Sequence, residues 1–144
     1  MKVKVKKAQP DAILPTYATN GSGCFDLYSC RECSIVDSAD PVVFQTGLQF
    51  EIPEGYVMLV FSRSGHGFKS GVRLANCVGV IDSDYRGEVM VKLTCDEDHG
   101  RIAVNKGDRI AQAMLIPYEQ VYFEEAFELS STERGTGGFG SSGK

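Results

Sequence analysis

No apolar stretch of the chain approaches the roughly 20 residues that a bilayer-spanning helix needs. The apolar segment of a secretory leader is missing too, because Met1-Lys2-Val3-Lys4-Val5-Lys6-Lys7 alternates instead. Both absences argue against a membrane partner. Nor is there a basic excess: 15 Lys and Arg stand against 19 Asp and Glu, a net charge of −4. A chain without a broad positive field is a poor coat for nucleic acid, although a few converging cations would still hold a small anion. Histidine is scarce, with only His66 and His99, far apart. The Cys30-Arg31-Glu32-Cys33 spacing therefore lacks the second ligand pair of a zinc site, and no βαβ pattern surrounds it as a redox motif would require. The five cysteines read as ordinary reduced thiols of an intracellular protein, cytoplasmic, or nuclear in a eukaryotic or viral setting.

Helical periodicity is also lacking. No segment reads as an amphipathic helix of three turns, and a single short turn fits at residues 64–69. What the 144 residues do contain is alternation with a period of two. Val3 and Val5 would face inward from a first strand. Leu48-Gln49-Phe50-Glu51-Ile52 alternates strictly before Pro53-Glu54-Gly55 turns the chain. Residues 56–61 are almost continuously apolar, as in a strand buried on both faces. Val89, Val91 and Leu93 share one face of a further strand; Ile110, Met114 and Ile116 share one face of another. Val121, Phe123, Phe127 and Leu129 continue the pattern among glutamates. Many short strands punctuated by Gly and Pro predict an all-β sandwich or barrel of jelly-roll type. Residues 1–130 read as one domain, and 131–144 as a flexible glycine-rich arm.

Three clusters carry chemistry. Ser62-Arg63-Ser64-Gly65 combines hydroxyl, guanidinium and a glycine that admits close backbone approach; alone it reads equally as a phosphate cradle or an exposed loop. In Gly79-Val80-Ile81-Asp82-Ser83-Asp84-Tyr85-Arg86-Gly87, an extended backbone would point Asp82 and Asp84 to one face, whereas a turn would not. Two carboxylates there could activate water, hold a cation or build the turn, and the apolar lead-in would leave Asp82 partly desolvated. The third cluster runs from Glu133 to Gly143. A pure linker has no use for its lone Arg134 and Phe139, whereas a lid over an anionic, aromatic ligand would use both. The acidic run Asp96-Glu97-Asp98 reads as a solvated loop.

Taken in order, Gly23-Cys24-Phe25-Asp26-Leu27-Tyr28, Arg63-Ser64-Gly65, residues 79–87, Gly107-Asp108-Arg109-Ile110-Ala111-Gln112 and residues 134–143 resemble the five motifs of the trimeric dUTPase family. The resemblance implies a distorted β jelly roll, a homotrimer, and magnesium-assisted hydrolysis of dUTP to dUMP and pyrophosphate. Such an activity keeps uracil out of DNA and supplies dUMP for thymidylate synthesis. By the same resemblance, one subunit would offer the first, second and fourth motifs, a neighbour the third, and the remaining one the arm. Asp82 would be the general base. Arg63, Ser64, Gly65 and Gln112 would hold the phosphates, and Mg2+ would ride mainly on the triphosphate, with Asp26 reaching it only through water. Asn76, Gly79, Val80, Ile81 and Met90 would form the uracil and sugar pocket, with Tyr85 against the deoxyribose. Phe139 would stack on uracil while Arg134, Gly140, Ser141 and Ser142 close over the phosphates. His66 and Cys24 depart from the family pattern, where an aliphatic and a small residue are usual. A dCTP deaminase, or a bifunctional relative of the same fold, is the nearest alternative, though the Asp82-Ser83-Asp84-Tyr85 run fits it less well. A metal-binding or scaffolding β-protein is the alternative of a different class.

Overall fold

The computed structural model describes residues 1–32, 34–98 and 100–141, so Cys33, His99 and the last three residues, Ser142 among them, lie outside the described residues. A four-stranded antiparallel sheet runs in the order β2 (Phe25–Tyr28), β11 (Arg109–Pro117), β6 (Tyr56–Phe61) and β8 (Val78–Ile81). A three-stranded sheet orders β4 (Val42–Gln45), β9 (Met90–Cys95) and β7 (Val72–Leu74). Two ribbons complete it, β1 (Lys4–Lys7) on β5 (Leu48–Glu51) and β3 (Ser34–Val36) on β10 (Ile102–Val104). Strands distant in sequence are neighbours throughout. This is the jelly-roll arrangement expected from the strand pattern.

The core lies between the sheets, where Leu27, Phe44, Leu48, Met58, Leu93 and Ile110 are fully buried. Val3 and Val5 pack against its margin, and Val89, Val91 and Leu93 point inward as their alternation required. The short helix α1 (Ser64–Ser70) stands where one turn was expected. Gly71 ends it in the left-handed region at φ 60°, a conformation that glycine adopts at little cost.

Three expectations need correction. Strand β6 is buried on one face only: Met58 and Val60 enter the core while Leu59 and Phe61 stay half-exposed, because the outer face of its sheet is only partly covered. In β11, Ile110 does not share a face with Met114 and Ile116. The register shifts between Arg109 and Ala111, and this bulge turns Ile110 inward together with Ala111 and Ala113. Val121, Phe123, Phe127 and Leu129 form no strand; strand structure ends at Pro117 and these side chains are exposed. Alternation specifies a strand only where a sheet edge is within reach, and a single chain offers none there. The acidic loop is solvated as expected, with Asp96, Glu97 and Asp98 exposed, and Asp96 accepts two hydrogen bonds from Arg73 at 2.6 and 2.8 Å.

One buried polar node ties the β4–β5 turn to the segment that leads out of the Asp82 turn. Thr46, wholly buried, donates from Oγ1 to the Val89 carbonyl at 2.6 Å and accepts from Leu48 N at 3.2 Å. The amide of Gly47 donates to Glu88 Oε1 at 2.7 Å. Gly47 has φ 68°, and a Cβ there would sit 2.6 Å from Ala12 Cβ, so no larger residue fits. Replacing Thr46 with Val keeps the volume but strips the Leu48 amide of its acceptor. Thr46→Val should cost about 1–3 kcal/mol, the usual penalty of a buried unpaired group, read from urea unfolding midpoints.

Candidate functional site

Three hollows and one arm carry the residues singled out from the sequence. The first hollow follows directly from strand register. Gln112 of β11 stands opposite Asp26 of β2 on one side and Phe61 of β6 on the other. Arg63 and Ser64 follow two and three residues beyond Phe61, so Asp26, Arg63, Ser64 and Gln112 line one cavity of about 350 Å3, with Gly23, Cys24 and Arg109. Ser62 secures the loop: its Oγ accepts from Leu74 N and its carbonyl accepts from Gln112 Nε2, each at 2.9 Å.

Asp26 is nearly buried and shared by two cations, with Arg63 Nε 3.5 Å from Oδ1 and Arg109 Nη1 3.2 Å from Oδ2. One carboxylate against two guanidiniums leaves the hollow net positive, suited to an anion bearing several charges. Arg109 was not among the expected binding residues. Its signal was a lone cation opening a strand that carries no other charge. Cys24 lines the same hollow, but burial and then the Asp26 charge push its thiol pKa up, which opposes a reactive thiolate. Cys30 is held up likewise, mainly by burial, and lies 3.2 Å from the Thr46 carbonyl that accepts its thiol.

The second hollow, about 420 Å3, is lined by Asn76, Gly79, Val80, Ile81 and Met90, joined by Lys92. Here β8 is the edge of its sheet: β6 takes one side and the other side's amides and carbonyls are left free. Cys77, at φ 63°, makes the tight turn into β8 together with the 2.7 Å bond from Val78 N to Asn76 O. A Cβ at Gly79 would meet Val60 Cβ at 3.1 Å, so glycine keeps the strand close to β6.

Asp82 opens the third hollow, about 720 Å3, with Ser83, Asp84, Arg86 and Tyr118. The segment is a turn, closed by Tyr85 N on Asp82 O at 3.2 Å, and not extended. Alternation therefore does not place Asp82 and Asp84 on one face, and Asp82 is exposed instead of partly desolvated in the single chain. The Tyr85 hydroxyl donates to Glu88 O at 3.0 Å, and its ring lies where any Gly87 side chain would have to go. In the arm, Arg134 Nε donates to Gly137 O at 2.9 Å, closing a local turn, while Phe139 is fully exposed with φ 48°. Gly140 and Ser141 are exposed beside it. Arg63 and Asp82 thus line different hollows, and the arm stands apart from both. Gly65 sits exposed in the first turn of α1 with no atom in the way of a Cβ.

The fold is a jelly roll in which a doubly cationic hollow suits a polyanion and β8 separately presents a free strand edge. A family model described as dUTPase matches residues 10–143. The chain is 44% identical to the deoxyuridine 5'-triphosphate nucleotidohydrolase of Nautilia profundicola over 144 residues, the whole of both chains. It is 43% identical to the enzyme of the same name from Hydrogenobaculum sp., covering 99% of each. Among solved structures, the Staphylococcus bacteriophage 80alpha dUTPase with dUPNHPP superposes with a TM-score of 0.89 at 28% identity over 99% of each chain. The chain belongs to the dUTPase family.

His66, one of the departures from that family's pattern, sits on α1 with its Nδ1 buried and without a hydrogen-bond partner among the described residues. Burial, then the charge of Arg63, lowers its pKa; Arg109 adds to this and Asp108 opposes it. The unfolded chain therefore takes up this proton before the folded one does, and stability falls as pH drops through the imidazole range. His66→Leu should flatten the loss of stability between about pH 7.5 and 5.5, measured by urea titration at each pH.

Proposed function

We propose that the chain is a dUTP diphosphatase: it hydrolyses dUTP to dUMP and pyrophosphate in a site assembled from three copies of itself. The observation that carries this reading is the alignment of Asp26, Gln112 and Phe61 across three strands, which delivers Arg63 and Ser64 to the cationic hollow. The relatives' names supply the substrate, and they favour hydrolysis over deamination of dCTP.

The triphosphate lies along Arg63, Ser64, Gly65 and Gln112. Gln112 is already oriented by its bond to Ser62 O, so it needs little reorganisation to meet an anion. Uracil enters the slot beside β8, where free backbone amides and carbonyls present the complement of its polar edge, and a cytosine amino group would meet the wrong partner. Tyr85 packs on the deoxyribose. Asp82, directly after the slot residue Ile81, takes a proton from a water whose oxygen bonds to the α-phosphorus. The bond from that phosphorus to the bridging oxygen breaks, and pyrophosphate leaves.

Because Asp82 and Arg63 line separate hollows of one chain, the slot and Asp82 of one copy face the cationic hollow of another. A homotrimer satisfies this, with the arm from residue 131 reaching the third copy. There Phe139 covers the base, and Arg134, Gly140 and Ser141 cover the phosphates. The exposed apolar run from Val121 to Leu129 is covered along the way. Among the described residues no three His, Cys, Asp or Glu side chains converge, and each Asp26 oxygen already faces an arginine. Such a donor set fits magnesium carried on the phosphates and met by Asp26 through water. Bound there, the ion would neutralise phosphate charge. No helix among the described residues is long and apolar enough to cross a membrane, and free thiols at Cys24, Cys30, Cys77 and Cys95 suit an intracellular setting.

Asp82→Asn should retain dUTP binding and lower kcat by about 10²–10⁴-fold, the usual share of a general base. Undiminished pyrophosphate release by that variant would remove Asp82 from the mechanism. Deleting residues 134–144 should leave the trimer intact in size-exclusion chromatography while kcat/KM for dUTP drops; an unchanged kcat/KM would rule out the lid.

A further inference from the structure

The base slot contains one residue that its backbone chemistry does not require. Of the side chains lining it, Lys92 alone is charged. It reaches the slot because β9 alternates: Val91 and Leu93 face the core, while Met90 and Lys92 face outward on the slot side. The Lys92 carbonyl accepts from Ala75 N at 2.8 Å, which fixes this part of β9 beside the Ala75-Asn76 turn that also lines the slot. None of the ion pairs among the described residues involves its ammonium. The charge is therefore free to meet a ligand.

We infer that Lys92 is a further specificity-determining residue of this site, its ammonium donating to a carbonyl oxygen of the pyrimidine and so favouring uracil over cytosine. The inference rests on the proposed dUTP reading and deepens it. An ammonium has three donors and no acceptor. Uracil offers it two ring carbonyls. Cytosine replaces one of them with an amino group, which can only donate. At that end of the ring the same lysine attracts one base and faces a donor on the other. Because the side chain is exposed, water screens the effect, and about a tenfold contribution is reasonable for a partly solvated charged hydrogen bond.

The test uses the full-length protein and its Lys92→Met and Lys92→Arg variants, with thermal melts to confirm folding. Pyrophosphate release gives kcat and KM for dUTP, and dCTP is titrated as a competitor to give its inhibition constant whether or not it turns over. Lys92→Met should raise KM for dUTP about tenfold with kcat little changed, while the inhibition constant of dCTP stays the same or falls. Lys92→Arg, which keeps a cationic donor, should recover much of the loss. An unchanged ratio of the two constants overturns the inference. Equal weakening of both nucleotides, one form of that result, would make Lys92 a general attractor of phosphate. If the wild-type protein released no pyrophosphate from dUTP, the parent reading would fall first, a result distinct from either of these.

Discussion

The register of β11 between β2 and β6 is the constraint on which the rest of the structure depends. With Gln112 opposite both Asp26 and Phe61, three segments separated by many residues meet on one face. Moving β11 by one residue would turn Gln112 into the core and present an alanine to the cleft, because side chains alternate along a strand. The bulge between Arg109 and Ala111 reconciles two demands. It lets Ile110 fill the core while Arg109, one residue earlier, reaches Asp26. Packing and charge are both met by a single irregularity.

Electrostatics in the hollow follow from that geometry. A nearly buried carboxylate is tolerable because two guanidiniums flank it, and the guanidiniums are held in place because the carboxylate is there. The surplus positive charge is what remains for a ligand. His66 lies close enough to feel Arg63 and Arg109, so its neutral form suits a neighbourhood already rich in cations. The hollow beside β8 is built differently. It uses a strand edge, unpaired in the single chain, and Lys92 is the one cation in a lining that is mostly apolar apart from Asn76.

Much of this was legible in the chain. Strict alternation at residues 48–52 and at Val89, Val91 and Leu93 marked strands with one buried face, and the structure places them so. The helical turn at Ser64 needed only local signals and a glycine beyond it. The failures share one cause. Met114 and Ile116 were assigned to the face of Ile110 because a bulge leaves no trace in a hydrophobic pattern. The run from Val121 to Leu129 looked like a strand, yet pairing needs a partner edge that one chain does not supply. Asp82 was expected to be partly desolvated by its apolar lead-in, but β8 is an edge and the turn after it projects outward.

The sequence by itself determined the all-β class, the order of the chemical motifs and the identity of several residues that line the hollows, because period-two patterning and short motifs are local properties. Only the tertiary structure decided which of them share a surface: Asp26 with Arg63, Arg109 and Gln112; Lys92 with Asn76, Gly79 and Ile81; Asp82 apart from Arg63. Those groupings depend on strand register and sheet order, which are set by contacts between segments tens of residues apart and are not written in any one of them.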